Sequence, residues 1–377
     1  MRLAFDILAL VVGAILVVAT VLSAVRSTVL PRAAQSRIAG TAVRAARTFF
    51  RLRAKHSTTY EDRDRIMAML GPVALLSMLA FWLLLLIVGY TLIFLAVTRG
   101  SLSDAIELSG SSIFTLGTTV DSRLGPSVLT YSEAALGLLI VALLITYFPS
   151  IYNAFTRRET GVSLLQVRAG SPPQATTMLI RFHRIEEPSY RLGELWRQWE
   201  GWFTDIEESH TTFPILVYFR SPQPDRSWVT AAGALLDAAS FWASCVEHPQ
   251  DPDVQLCIRA GFLALRRIAD SFKVPYASDP AADDRITITR QEWDSAMAEM
   301  EAAGMPLKAD RELAWTAWKG WRVNYDTVLL LLARLVEAPP APWVSDRSPI
   351  AAVQDQARAR AARKAIGPGR GRRKSPL

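Results

Sequence analysis

Oxygen atoms able to replace the water around a cation are concentrated in one short stretch of this chain. Residues 108–120 read Leu-Ser-Gly-Ser-Ser-Ile-Phe-Thr-Leu-Gly-Thr-Thr-Val and carry no charge. Within them Thr115, Leu116, Gly117, Thr118 and Thr119 offer backbone carbonyls, hydroxyls and one glycine. These are the groups with which an ion filter substitutes for a hydration shell. Asp104, Glu107 and Asp121 flank the stretch and would ring the mouth of such a passage, drawing cations in. Glu133 follows at the start of an apolar run. A carboxylate near membrane depth is costly and usually functional; the plainer reading is an interfacial group reaching water.

Catalytic chemistry has no comparable support. Two cysteines, Cys245 and Cys257, and four scattered histidines make no metal-ligand spacing. The cysteines read as buried thiols in a reducing compartment. Glu207, Glu208 and His210 are close in sequence, but a helix end leading into Pro214 explains them better than a metal or acid–base site. No glycine loop that could cradle a phosphate is present. No enzyme is expected.

The elements that must position the oxygen-rich stretch are membrane spans. Half of the 377 residues are hydrophobic, the net charge is +7, and the apolar excess falls before residue 155. A first span is expected over 7–25, a second over 72–97 and a third over 131–153, each long enough for the hydrocarbon core. Small residues Ala19 and Ala24 also allow a cleavable signal peptide. Against it, Arg26, Arg32, Arg37, Arg44, Arg47, Arg51, Arg53, Lys55, Arg63 and Arg65 follow at once, and basic loops stay inside. Arg157 and Arg158 follow the third span, so the topology reads N-terminus out and C-terminal domain in. The basic segment 26–65 has Arg44, Arg47 and Arg51 at helical spacing beside Val43, Phe49, Phe50 and Leu52. Two readings stand for it: an interfacial amphipathic helix, or a solvated basic loop.

Spans two and three are joined by about 33 residues (98–130), where a few would join antiparallel helices. The uncharged part is too short to cross a membrane and suits a re-entrant segment. Irregular backbone at that depth must be buried in protein or line a wet cavity. A short helix over 102–114, capped by Ser101 or Ser103, would lead into Thr115. In the third span Gly137 could hinge and Pro149 could kink the helix, although both residue types are common in membrane helices.

From residue 159 the pattern is helical, with expected helices at 174–183, 189–207, 227–247, 253–271, 290–303 and 309–336 and prolines between them. Residues 215–219 read equally as a short strand or buried helix. Trp196, Trp199, Trp202 and Trp315, Trp318, Trp321 form helical stripes that read as core; Lys319 and Arg322 beside the second stripe could meet an acidic ligand. The basic tail from residue 346 is expected to be largely disordered and drawn, with the basic loop, to anionic lipid rather than nucleic acid.

Helix, re-entrant helix, Thr/Gly strand and inner helix, in that order over 66–158, resembles the pore module of bacterial two-transmembrane potassium channels. The matching residues are Ser111-Ser112-Ile113-Phe114-Thr115-Leu116-Gly117, with Glu133 and Gly137 early in the inner helix and Arg168 to Pro173 opening the helical region. The family's Thr-Val-Gly-Tyr-Gly is here Thr-Leu-Gly-Thr-Thr, lacking the aromatic residue and the second glycine. The resemblance implies a homotetramer in a bacterial inner membrane. It also implies a filter at Thr115–Thr119, with Glu133, Gly137 and Pro149 supporting or gating it. No cofactor is expected beyond a permeant monovalent cation, K⁺ being one option. The expected fold is an all-α membrane protein. An anchor (1–25) and a basic segment (26–65) precede a two-helix pore module with a re-entrant loop (66–158), a cytoplasmic helical bundle (159–345) and the tail (346–377). The rival expectation is a non-conducting scaffold that recruits a cytoplasmic partner.

Overall fold

The computed structural model describes residues 2–29, 37–119, 123–185, 192–249 and 251–348. Asp121 and the tail from residue 349 lie outside the described residues. Among the described residues the regular structure is helical, with no strand. The chain divides into two compact units, Met1–Ala154 and Phe155–Leu377. The residues expected as anchor, basic segment and most of the pore module therefore fold together.

In the first unit, α1 (Arg2–Thr28) runs along α4 (Leu70–Thr98). Small residues let them meet: a Cβ on Gly13 would lie 2.5 Å from the Gly89 carbonyl oxygen, and one on Gly89 would lie 2.8 Å from Val17 Cγ2. Close backbone approach of this kind holds apolar helices together where hydrophobicity cannot, because lipid is as apolar as leucine. Trp82 Nε1 adds a buried hydrogen bond to Ser23 Oγ at 3.1 Å. At the other end of the pair Arg99 lies 3.8 Å from Asp6. These contacts fix an antiparallel register. The outward face of α1, including Leu3, Leu8, Val11, Ile15 and Val18, is exposed among the described residues.

Between these helices come α2 (Arg37–Ala54) and α3 (Tyr60–Ala68). Thr59 caps α3, its hydroxyl accepting from the Asp62 amide at 3.2 Å. An amphipathic face of Ala39, Ala42, Ala46, Phe50 and Ala54 turns α2 inward onto α3 and α4. Phe49 and Leu52 are exposed beside Arg44, Arg51 and Arg53. The link after α4 holds α5 (Leu102–Ile113), and α6 (Leu124–Ala169) follows. Tyr90 of α4 and Ser132 of α6 share a 2.8 Å hydrogen bond.

The second unit begins within α6. It continues with α7 (Ala175–Ile185), α8 (Leu192–Thr212), a 3₁₀ turn (Pro214–Tyr218), α9 (Trp228–Cys245), α10 (Pro252–Ser271), α11 (Arg290–Ala302), α12 (Arg311–Arg322) and α13 (Asp326–Val336). α9 is apolar almost all round and buried along nearly its whole length, as a central helix must be. α7, α10, α12 and α13 pack on it, and α8 packs on α10. The tryptophan stripes do go into this core: Trp196, Trp199 and Trp318 are fully buried, and Trp202 and Trp321 nearly so. The 3₁₀ turn Pro214–Tyr218 takes the place of a strand in this segment, with Phe219 as its extended cap. The expected helix 309–336 is two helices, because the chain turns at Val323–Tyr325, where Asn324 Nδ2 donates back to the Gly320 carbonyl at 2.9 Å.

Candidate functional site

Helix α5 is built by its ends. Ser101 is the N-cap: its hydroxyl accepts from the Asp104 amide at 3.2 Å, and Asp104 Oδ2 accepts from the Ser101 amide at 3.0 Å. This reciprocal box satisfies two of the donors that every helix start leaves open. Asp104, expected at a pore mouth, thus has a local task as well, and its bonds to Ser101 hold its carboxyl below the usual carboxylate range. At the far end the Leu116 amide donates to the Ser111 carbonyl (2.8 Å) and the Thr115 amide to the Ser112 carbonyl (3.0 Å). That pair of bonds is a Schellman cap with Thr115 in the left-handed position, φ +53°. Glycine is usual there, and a β-branched residue costs about 1–3 kcal/mol.

Beyond the cap the chain turns back along α5. Gly117 is again left-handed, φ +67°. The amides of Thr118 and Thr119 both donate to Ser111 Oγ, at 3.1 and 3.2 Å, and Thr119 Oγ1 donates to Glu107 Oε1 at 2.7 Å. Thr115 to Thr119 therefore form a compact reversal pinned to the helix that precedes it, with Leu116 projecting outward, 64% exposed. Glu107, the second expected mouth carboxylate, is the far anchor of this reversal. Asp121, the third, lies outside the described residues.

Glu133 is brought against α5 as well. It is fully buried, and its Oε1 lies 2.5 Å from Ser109 Oγ. The same hydroxyl lies 3.3 Å from the Ile87 carbonyl of α4, and Glu133 Oε2 has no hydrogen-bond partner. Ser112 Oγ donates to the Thr130 carbonyl at 2.7 Å. Gly137 lies under the end of α5: a Cβ there would come within 2.9 Å of Ile113 Cγ1 and 3.0 Å of the Ile113 carbonyl oxygen. This close approach is sufficient reason for the glycine. Pro149 lies inside α6, whose helix continues on both sides of it.

The hydrogen-bonding tasks of Ser109, Ser111 and Ser112 are what the sequence did not show. The Ser-Gly-Ser-Ser run was visible as a motif, but each hydroxyl has a different task. Ser109 meets α4 and α6, Ser111 holds the reversal, and Ser112 reaches the start of α6. Alternation of roles within one helical turn leaves no periodic signature.

In the second unit, the residues singled out in the sequence are each engaged separately among the described residues. His210 is fully buried with its ring tilted against Trp228, ring centroids 4.7 Å apart. Its Nδ1 lies 2.9 Å from the Ile206 carbonyl and its Nε2 lies 3.3 Å from Arg158 Nη1. Glu207 pairs instead with Arg267, and Glu208 Oε1 accepts from Thr212, so the three do not converge. No group of metal-binding side chains occurs among the described residues. Arg322 is fully buried and held by Asp237 (2.6 Å) and Asp326 (2.8 Å), while Lys319 Nζ donates to the Asp283 carbonyl. The Arg322 guanidinium is thus already paired within the core. Both cysteines are buried free thiols, and burial pushes Cys245 up to about 12.

No family model matches this sequence, and no solved structure matches it. The chain is similar to a protein of Bacillus subtilis (strain 168) described as uncharacterized membrane protein YdjJ, 26% identical over 240 residues. The match takes in 57% of this chain and 65% of that protein, so the chain spans just under two thirds of the relative's length. Three helical stretches, Arg2–Thr28, Tyr60–Thr98 and Leu124–Ala169, are long and apolar enough to cross a bilayer. With that similarity beside them, the chain is a membrane protein with transmembrane helices.

Proposed function

We propose that this chain is a subunit of a homotetrameric pore for monovalent cations in a bacterial inner membrane. The observation that carries the reading is the reversal after α5. A short capped helix sits between two spans, ends in an uncharged Thr/Gly turn, and is held by α4 and α6 through buried hydroxyls and Gly137. Irregular backbone of this composition is tolerated at membrane depth where it lines a wet cavity. Thr115 to Thr119 then form the filter, with Asp104 and Glu107 near its mouth. The helical second unit modulates the pore. The exposed arginines of α2 and the basic tail face anionic headgroups.

One observation favours a second reading, a membrane scaffold without conduction. The amides of residues 115, 116, 118 and 119 are already committed within the α5 cap and to Ser111, and a turn so pinned needs no ion to hold it. Flux of K⁺ and Na⁺ from vesicles carrying the purified protein separates the two. Gly117 has open space around it and a left-handed φ, so Gly117→Ala strains only the backbone, by about 1 kcal/mol. A pore predicts flux that this substitution reduces severalfold in protein that remains folded and tetrameric. Tetrameric, folded protein without flux, or flux indifferent to Gly117→Ala, sinks the pore reading of this loop.

A further inference from the structure

Ser109 has one hydroxyl hydrogen and two oxygens within reach, Glu133 Oε1 at 2.5 Å and the Ile87 carbonyl at 3.3 Å. It can donate to one of them only. Glu133 itself is 0% exposed, and no basic side chain among the described residues pairs with it. The Ser112 hydroxyl is also a neighbour of Glu133, but its one hydrogen goes to the Thr130 carbonyl at 2.7 Å. An ionised Glu133 would therefore hold a buried charge with Oε2 lacking a donor, a costly arrangement. We propose that Glu133 carries a proton on Oε1 and donates it to Ser109 Oγ, whose own hydrogen passes on to the Ile87 carbonyl. Both contacts of Ser109 are then hydrogen bonds. Only a carbonyl-like Oε2 is left without a donor, and a neutral acceptor is far cheaper to bury than a charge.

The relay ties α6 to α5 and α5 to α4, so Glu133 is a positioning residue for the helix that precedes the Thr/Gly reversal. Neighbouring titratable groups are engaged elsewhere. On α4, Tyr90 is bonded to Ser132 Oγ. On α5, Asp104 closes the capping box and Glu107 accepts from Thr119. On α6 itself, Tyr131 is exposed. None of them supplies a counter-charge. The inference stands on the packing of these three helices and does not depend on conduction.

Infrared spectroscopy of the full-length protein in lipid at neutral pH tests it. The expected result is a carboxylic-acid C=O band, equivalent to one group per chain, that Glu133→Gln removes. An amide can donate where the acid O–H did, so Glu133→Gln should keep the wild-type melting midpoint while Glu133→Ala lowers it. Ser109→Ala, which removes the acceptor but not the acid, should shift the same band to higher frequency. This variant keeps the test open should Glu133→Gln fail to fold. An acid band unchanged by both Glu133→Gln and Ser109→Ala, or a Glu133→Gln difference that falls on the ionised-carboxylate bands, overturns the proposal.

Discussion

His210 has partners in space that differ from its neighbours in sequence. With Nδ1–H donating to Ile206, Nε2 keeps a lone pair for Arg158, which fixes the neutral tautomer. Burial and the nearby Arg158 guanidinium lower its pKa to about 3 from 6.5. The unfolded chain therefore binds a proton that the folded chain refuses throughout that window. Stability is full above about pH 6.5 and falls as pH drops toward about 3. A shift of this size corresponds to a loss on the order of a few kcal/mol. Denaturant unfolding of the second unit's tryptophans should show this slope, and His210→Gln should flatten it between pH 6 and 4. A wild-type slope retained in His210→Gln would assign the acid sensitivity to other groups. The sequence favours a helix end over a site shared with Glu207 and Glu208, and in the fold Glu207 turns to Arg267 while His210 turns to Arg158; which partner each would take is not readable from the sequence.

The elements were largely legible, and their seams were not. The three spans announced themselves by length and lack of charge, the short helix in the link by its serine cap and the expected position of its end. Most helices of the second unit fell within a few residues of the prolines that delimit them. What stayed hidden was how apolar helices meet. In a span the lipid-facing and protein-facing sides are both apolar, so no stripe marks the contact, and the Gly13–Gly89 crossing emerges only from backbone distances. The break between α12 and α13 was hidden for a related reason: both halves are good helix, and the turn depends on the Asn324 side chain. The crossing makes a prediction. Gly13→Val must push α1 off α4 and also weaken the Trp82–Ser23 bond, costing about 1–3 kcal/mol. Gly40→Ala on α2, where a Cβ would meet nothing within 4 Å, should gain up to about 1 kcal/mol. Thermal unfolding in detergent compares them; equal midpoints for Gly13→Val and wild type would mean that the crossing does not hold α1.

For the whole molecule, the register of α1 on α4 makes orientation a single choice. Asp6 meets Arg99 at one end of the pair and Ser23 meets Trp82 toward the other. The stretch between Asp6 and Arg26 is about 30 Å of helix, the thickness of the hydrocarbon core. Arg26 and the basic α2 thus leave the membrane at one side, and the link carrying α5 begins at the other. Basic segments remain on the cytoplasmic side, so the proposed topology has the start of the chain and the Thr/Gly reversal outside. Thiol labelling with a membrane-impermeant reagent tests this directly, because the native Cys245 and Cys257 are buried and give little background. Leu124→Cys, at a position 81% exposed, should be labelled in intact cells. Thr48→Cys, on the exposed side of α2, should be labelled only after the membrane is opened. The reverse pattern would put α5 and its reversal inside. Asp104 and Glu107 would then lie at an inner rather than an outer entrance, and the arginines of α2 would face away from the anionic leaflet that best explains them.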